Sequence, residues 1–129
     1  MKEFQDKVKE FNEARDWGKN RSSEYASIKD FLLNMCEEVG EAWSIIKWVN
    51  DPETLKKVIE ENKHEFEDFV GDQLYLILKI AYLLDIDSEV ALTDTLNEYE
   101  KRFPINEVKK HRHGNKLAGG IDHKDKVQR

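Results

Sequence analysis

Three glutamates lie within little more than one helical turn, in the segment Glu37-Glu38-Val39-Gly40-Glu41. They interrupt the apolar stretch from Phe31 to Val49, and a second acidic pair, Asp68 and Asp72, precedes another apolar stretch. A carboxylate on the buried side of a helix is costly unless a cation or hydrogen-bond donors neutralise it. Two such helices facing each other would form an oxygen-rich pocket suited to Mg²⁺, with Mn²⁺ as a substitute.

Two of these acids have apolar neighbours one turn away on the same helix face. Glu38 is spaced from Met35 and Ala42 by three and four residues, and Asp72 lies at the same spacings from apolar side chains. This placement favours a metal ligand or a buried polar network for both residues. Glu37 and Glu41, each taken alone, are better explained as solvated charges, but the joint pattern is more specific than its parts.

The rest of the chain predicts an all-α bundle of four to five helices that is completed by oligomerisation. Asp51-Pro52-Glu53 is typical of a helix start, while Gly18 and Pro104 are expected to stop helices. No stretch shows the strict alternation of a strand. The predicted helices cover residues 2–17, 27–49, 52–59, 64–84 and 87–103.

Charge divides the chain unevenly. Residues 1–103 carry 14 basic and 24 acidic side chains, whereas residues 104–129 carry 7 basic and 3 acidic, which together give the net charge of −6. We therefore expect one acidic domain over residues 1–104 and a basic C-terminal tail, mobile or ordered by a partner, over residues 105–129. The acidic body argues against nucleic-acid binding, although a bound cation would let it accept a phosphorylated small molecule.

The expected location is cytoplasmic. No run of about 18 apolar residues predicts a transmembrane helix, so no membrane partner is expected. The start, Met1-Lys2-Glu3-Phe4, lacks the apolar run of a signal peptide. The single cysteine, Cys36, cannot form an internal disulfide, and its apolar helix predicts a small buried side chain rather than a reactive thiol.

Five further residues are candidates for substrate binding. An aromatic ring can stack on a base, a cation can bind phosphate, and an amide can contact a base or sugar edge. Each also has a simpler explanation, as a core or interface residue or as an exposed polar side chain. The candidates are Trp48 for the base, Lys79, Lys101 and Arg102 for phosphates, and Asn97 for a base or sugar edge.

The acidic motifs resemble those of the MazG-like nucleotide pyrophosphohydrolases, whose superfamily includes all-α dUTPases and phosphoribosyl-ATP pyrophosphohydrolase. Glu37, Glu38 and Glu41 match Glu-Glu-x-x-Glu, and an acid-rich stretch ending in Gly71-Asp72 follows about 30 residues later. The resemblance covers roughly residues 27–103. It includes Leu84-Asp85-Ile86-Asp87 before the last predicted helix and Lys101-Arg102-Phe103-Pro104 at its end.

The second acidic motif departs from the family pattern. The family has glutamate three residues before the aspartate, where this chain has Phe69. Asp68, one turn before Asp72, is the best substitute because it faces the same way, and Glu67 is less well directed.

What the resemblance implies is Mg²⁺-dependent hydrolysis of a nucleoside triphosphate between the α- and β-phosphates, giving a monophosphate and pyrophosphate. It implies Glu38, Glu41 and Asp72, with Asp68, as metal ligands. Glu37 is implied either as a further ligand or as the base that activates water. Glu37, Glu38 and Glu41 are thus the expected catalytic residues.

A different interpretation is a non-catalytic helical module whose acidic face binds a basic protein, including a family member that keeps the fold without the activity. Glu38 and Asp72 argue against it, since a surface that binds by charge alone does not need acids among apolar neighbours. Under either interpretation, large apolar residues such as Trp43, Trp48 and Tyr82 exceed the needs of one thin bundle. They predict a homodimer or dimer of dimers in which helices from two subunits complete each pocket.

Overall fold

The computed structural model describes residues 1–17 and 21–111, and its regular structure there is entirely α-helical. The all-α class predicted from the sequence is confirmed, with six helices instead of four or five. In chain order they are α1 (Lys2–Glu13), α2 (Arg21–Ile46), α3 (Pro52–Glu61), α4 (Lys63–Leu83), α5 (Ser88–Arg102) and α6 (Ile105–His111). None of the helices in these described ranges is long and apolar enough to cross a membrane.

The first helix is shorter than predicted because the chain turns before Gly18, which lies outside the described residues. Asp16 adopts a left-handed backbone with φ of 61°. The Trp17 N–H then donates to the Asn12 carbonyl over 2.9 Å. Aspartate tolerates this conformation better than most residues, so it can end a helix where glycine is usual.

The end of α4 uses the same device. Asp85 has φ of 56°, and the Ile86 N–H donates to the Ala81 carbonyl over 2.9 Å. The Asp85 N–H also reaches the Tyr82 carbonyl at 3.3 Å. This pair of bonds satisfies carbonyls that the last turn would leave without partners.

The start predicted for α3 is confirmed, whereas the start predicted for α2 is wrong. The Asp51 side chain accepts a 2.8 Å hydrogen bond from the Thr54 N–H, and Pro52 is the first helical residue. The second helix begins at Arg21 instead of Ser27 and ends at Ile46. Residues 21–25, which lie between the first two predicted helices, therefore belong to α2.

The chain divides into two compact units, Met1–Ser88 and Glu89–Arg129. In the first unit, α4 contacts α1, α2 and α3. Among the side chains described in this unit, the buried apolar ones all lie on α4, which makes that helix the centre of the unit's core. They are Leu76, Leu78, Ala81, Tyr82 and Leu83.

Two buried amides attach α1 to the first unit. Gln5 donates from Nε2 to the Ile86 carbonyl over 2.7 Å and accepts from the Ser88 N–H at its Oε1 over 2.8 Å. Asn12, which has no exposed surface, accepts from the Tyr75 hydroxyl over 3.1 Å. Because a buried amide without partners is costly, these bonds fix how α1 lies along α4.

The second unit is described through α5 and α6. The ring of Tyr99 on α5 meets the ring of Phe103, just after that helix, edge to face with centroids 6.2 Å apart. Residues 105–111 of the predicted tail form α6, and the remainder of that tail, from residue 112, lies outside the described residues.

Candidate functional site

The two helices that carry the acidic residues pack against each other and run antiparallel. The Gln73 side chain on α4 donates to the Met35 carbonyl on α2 over 3.4 Å. Further along, the Lys79 Nζ lies 4.4 Å from the centre of the Phe31 ring. Residue numbers therefore fall along α2 as they rise along α4, and this register sets Glu38 opposite Asp72.

Glu38 lies half-buried at this α2–α4 contact. Partial burial raises the pKa of its carboxyl group, and the negative charges of Glu41, Asp72 and Glu37 raise it further. Glu37 and Glu41 lie near Glu38 because they are on the same helix, whereas Asp72 lies on α4. The structure therefore brings acids of both motifs together, and we call Glu37, Glu38, Glu41 and Asp72 the acidic cluster.

The cluster opens onto solvent on one side. Glu37, Glu41 and Asp72 are exposed, as is Asp68, which precedes Asp72 by one turn of α4. Phe69, at the position where a glutamate was expected, is half-buried instead. Its ring thus serves packing, whereas Asp68 stays available to a ligand on the exposed edge.

The donor chemistry of the cluster suits a hard cation, although its side chains are not set around one. All four residues offer carboxylate oxygens, and partial burial together with the charges of the other three raises the pKa of Glu38. Within residues 1–17 and 21–111, no three acidic, histidine or cysteine side chains are arranged to hold a metal ion. Mg²⁺ commonly takes only one or two carboxylates and completes its shell with water and substrate phosphates, so the residues fit this ion.

Trp48, the candidate for base stacking, lies just after α2 and is 83% exposed. The Lys47 Nζ lies 5.4 Å from the centre of the Trp48 ring and 5.6 Å from that of Trp43. The lysine therefore stands near two exposed indoles. The sequence also offers Lys47 as a lysine that could bind phosphate, with a solvated charge as the commoner explanation for any single lysine on a helix.

Lys79, a candidate for phosphate binding, is buried instead of exposed. Its Nζ lies 4.4, 5.7 and 5.9 Å from the ring centres of Phe31, Trp17 and Tyr75. We call these three rings and the lysine the aromatic cage. One signal in the sequence points to it: Phe31 is seven residues before Glu38 and Lys79 is seven after Asp72, so both pairs share a helix face.

The remaining substrate-binding candidates, Asn97, Lys101 and Arg102, lie on α5 in the second unit. Asn97 and Lys101 are exposed. Arg102 pairs with Glu98 over 3.5 Å and lies 5.1 Å from the centre of the Phe103 ring. The role of these three residues in binding a substrate stays a prediction.

The expectation that Cys36 is buried is wrong. Its thiol is free and the residue is exposed. The cause lies in the position of Cys36 around α2, since Met35 and Glu38 take the half-buried positions and Cys36 points away from them.

Comparison with known protein families, with characterised proteins and with solved structures finds no match for this chain.

Proposed function

We propose that this protein is a Mg²⁺-dependent nucleoside triphosphate pyrophosphohydrolase that cleaves between the α- and β-phosphates. The observation that carries the proposal is the acidic cluster. In it, half-buried Glu38 has three further acids close by, two on its own helix α2 and one on α4. Such an arrangement destabilises the protein unless a cation binds it.

Glu38, Glu41 and Asp72, with Asp68 on the exposed edge, would hold the ion. When bound, Mg²⁺ would neutralise charge on the phosphate oxygens and help to orient the substrate. Its presence would also reverse the local field, so that a polyanionic triphosphate could approach an acidic surface.

The chain's own residues would handle the water and its proton. Water attacks the α-phosphorus, the bond from that phosphorus to the oxygen bridging to the β-phosphate breaks, and pyrophosphate leaves with that oxygen. Glu37, which neighbours Glu38 and is exposed, accepts the proton that the water loses. The products are a nucleoside monophosphate and pyrophosphate.

Trp48 and Lys47 offer a surface for the other end of the substrate. An exposed indole can stack on a base of any identity, and the neighbouring ammonium adds attraction for a phosphate. Both follow Glu41 along the chain within two helical turns. A base site there would place the triphosphate toward the acidic cluster.

A second candidate function is a non-catalytic module that binds a basic protein through the same acids. One observation favours it: within the described residues, no three acidic, histidine or cysteine side chains are arranged to hold a metal ion. Under this alternative, Phe69 marks the loss of a ligand.

One experiment separates the two functions. The protein is incubated with Mg²⁺ and a panel of ribo- and deoxyribonucleoside triphosphates, and released pyrophosphate is measured with and without EDTA. We expect EDTA-sensitive release that Glu38→Gln reduces by about 100-fold or more, since even residues behind metal ligands contribute about 10- to 100-fold. Glu10→Gln, an exposed acid on α1, is the matched control and should keep full activity. No pyrophosphate from any substrate would refute the enzyme and leave the binding module.

A further inference from the structure

A regular seam of side chains joins α2 to α4. Along each helix, side chains that are buried or half-buried recur at alternating spacings of three and four residues. This is the heptad spacing of coiled coils, in which each such side chain packs between residues of the facing helix. The α2 seam comprises Ile28, Phe31, Met35, Glu38, Ala42 and Ile45, and the α4 seam comprises Phe66, Phe69, Gln73, Leu76 and Ile80.

Each seam has one polar member. On α2 it is Glu38, which belongs to the acidic cluster, and on α4 it is Gln73, which directly follows Asp72 in the chain. The Gln73 side chain crosses the contact, since its Nε2 donates to the Met35 carbonyl over 3.4 Å. Met35 lies one turn before Glu38 on α2. This hydrogen bond therefore ties α4 beside Asp72 to α2 beside Glu38.

The amide group of Gln73 is only partly satisfied. Its Oε1 is buried and has no hydrogen-bond partner among the residues that the structure describes. A buried acceptor without a donor lowers stability, whereas an apolar side chain of the same shape would avoid that cost. Gln5 differs, because both of its amide atoms form hydrogen bonds. The stability of the helix pair thus gives no reason for a glutamine at position 73.

Apolar packing alone does not select the observed register of the two seams. Because both have heptad spacing, a shift by one heptad, about 10 Å along the helix axis, sets seam residues opposite seam residues again. Such a shift would move Asp72 away from Glu38 by about the same distance. It would also carry Gln73 away from the Met35 carbonyl. A single polar residue in an apolar seam specifies register in coiled coils at a cost in stability.

We propose that Gln73 is a positioning residue, whose hydrogen bond to the Met35 carbonyl selects the register in which Asp72 lies beside Glu38. Gln73 touches neither cation nor substrate and acts through the placement of α4 against α2. The inference rests on the proposed function in one respect, the binding of a cation at the acidic cluster. It predicts opposite effects of removing the amide: the helix pair becomes more stable and the cation site becomes weaker. A merely structural glutamine would stabilise the fold and leave cation affinity alone.

Thermal unfolding and Mn²⁺ binding of Gln73→Met test this prediction, because methionine keeps the length of the side chain and removes the amide. We expect Tm in EDTA to rise by about 3–6 °C, since no buried acceptor is left unpaired. The dissociation constant for Mn²⁺, measured from the EPR signal of the free ion, should rise about tenfold or more, as when a residue that orients metal ligands is lost. Gln5→Met is the matched control. It removes two satisfied hydrogen bonds, so it should lower Tm and leave Mn²⁺ affinity unchanged at a temperature where it is folded.

A distance between the two helices reports the register directly. Spin labels are placed at Lys29→Cys on α2 and His64→Cys on α4, in a Cys36→Ser background. Both positions are exposed and lie outside the seams. With labelled chains diluted in unlabelled ones, the protein that keeps Gln73 should give one narrow distance. Gln73→Met should give a broader distribution or a second distance.

The outcomes separate this inference from the proposed function. A Gln73→Met protein with wild-type Mn²⁺ affinity, with a lower Tm or with an unchanged narrow distance would overturn the role of Gln73. A wild-type protein that binds no Mn²⁺ would refute the proposed metal site. The Tm and the distance would then still decide whether Gln73 sets the register of α2 and α4.

Discussion

Glu38 on α2 and Asp72 on α4 lie close enough across the contact between the two helices that the charge of Asp72 raises the pKa of Glu38. The two residues are 34 positions apart in the chain. They come close because of the antiparallel register of α2 and α4, which the hydrogen bond from Gln73 to the Met35 carbonyl also indicates. A helix pair that places two acids together at its own packed edge gives up stability in the metal-free protein.

The first prediction is that metal-free stability depends on pH through Glu38. A carboxyl group whose pKa is raised by folding binds its proton more tightly in the folded chain. Stability from this group is therefore fully present below its unfolded pKa of about 4.3 and is lost as pH rises through the higher folded pKa. Glu38→Gln removes the charge and keeps the shape, so we expect it to unfold at a higher temperature than wild type at pH 7.

Thermal unfolding of both proteins between pH 4 and pH 8, in EDTA, measures this difference. The advantage of Glu38→Gln should shrink as pH falls, because wild-type Glu38 is then protonated. The same scan on Glu10→Gln, an exposed acid on α1, should parallel wild type. A Glu38→Gln protein that is less stable than wild type at pH 7 would contradict the prediction.

The second prediction is that Mg²⁺ or Mn²⁺ stabilises the folded protein. An ion that binds only the folded state at ten times its dissociation constant adds about 1.4 kcal/mol to the free energy of unfolding. For a chain of this length that corresponds to a rise of roughly 3–6 °C in Tm. Differential scanning fluorimetry with millimolar MgCl₂ or MnCl₂ measures it, with KCl at equal ionic strength as the control. A rise that persists unchanged in Glu38→Gln and Asp72→Asn would place the ion elsewhere.

Helical spacing was enough to predict the all-α class, and the site residues stay a prediction. Apolar neighbours one turn from Glu38 and Asp72 indicated that both face the packed side. Glu38 is indeed half-buried at the α2–α4 contact, whereas Asp72 lies exposed at its edge. The helix start at Asp51-Pro52 was also predictable, because a proline and a capping carboxylate act within one turn. These features depend on interactions between residues near in sequence.

Features that depend on tertiary packing were not predictable in the same way. Asp16 and Asp85 end helices in a left-handed conformation that glycine usually adopts, and Gly18 was the stop expected for the first helix. Cys36 was expected in the core, yet an apolar stretch longer than one face of α2 leaves part of it exposed. The position of Lys79 among three rings also follows from how α1, α2 and α4 meet, which composition alone does not determine.

The third prediction concerns which residue replaces the glutamate missing at Phe69. Asp68 is exposed beside Asp72, so Asp68→Asn should reduce the stabilisation by Mg²⁺ and the pyrophosphohydrolase activity while leaving metal-free Tm nearly unchanged. Phe69→Glu places a charge at a half-buried position and should destabilise the protein by about 1–3 kcal/mol. Urea unfolding and metal titrations of both variants measure these effects.

Glu67→Gln is the control for this pair, since Glu67 is an exposed neighbour that is less well directed toward Asp72. It should behave as wild type in both measurements. If Asp68→Asn keeps its metal response and Phe69→Glu strengthens it without loss of stability, then Phe69 marks an absent ligand and Asp68 has no part in the site.

The last prediction separates a structural role for Lys79 from phosphate binding. Its side chain is buried and its ammonium lies near the rings of Phe31, Trp17 and Tyr75, so its first effect should be on stability. Lys79→Ala removes both the packed aliphatic stem and the cation, and should cost about 2–3 kcal/mol. Lys79→Met keeps most of the stem and removes only the charge, so its cost should be smaller, at most about 1–2 kcal/mol.

Chemical unfolding followed by tryptophan fluorescence suits this comparison because Trp17 belongs to the aromatic cage. Lys101→Met, an exposed lysine on α5, is the matched control for loss of one positive charge and should leave stability unchanged. We expect KM for the triphosphate to stay within about twofold in Lys79→Met, since cation–π contacts of a buried ammonium act on the fold. A Lys79→Met protein with wild-type stability and a KM raised tenfold would instead identify Lys79 as a phosphate ligand.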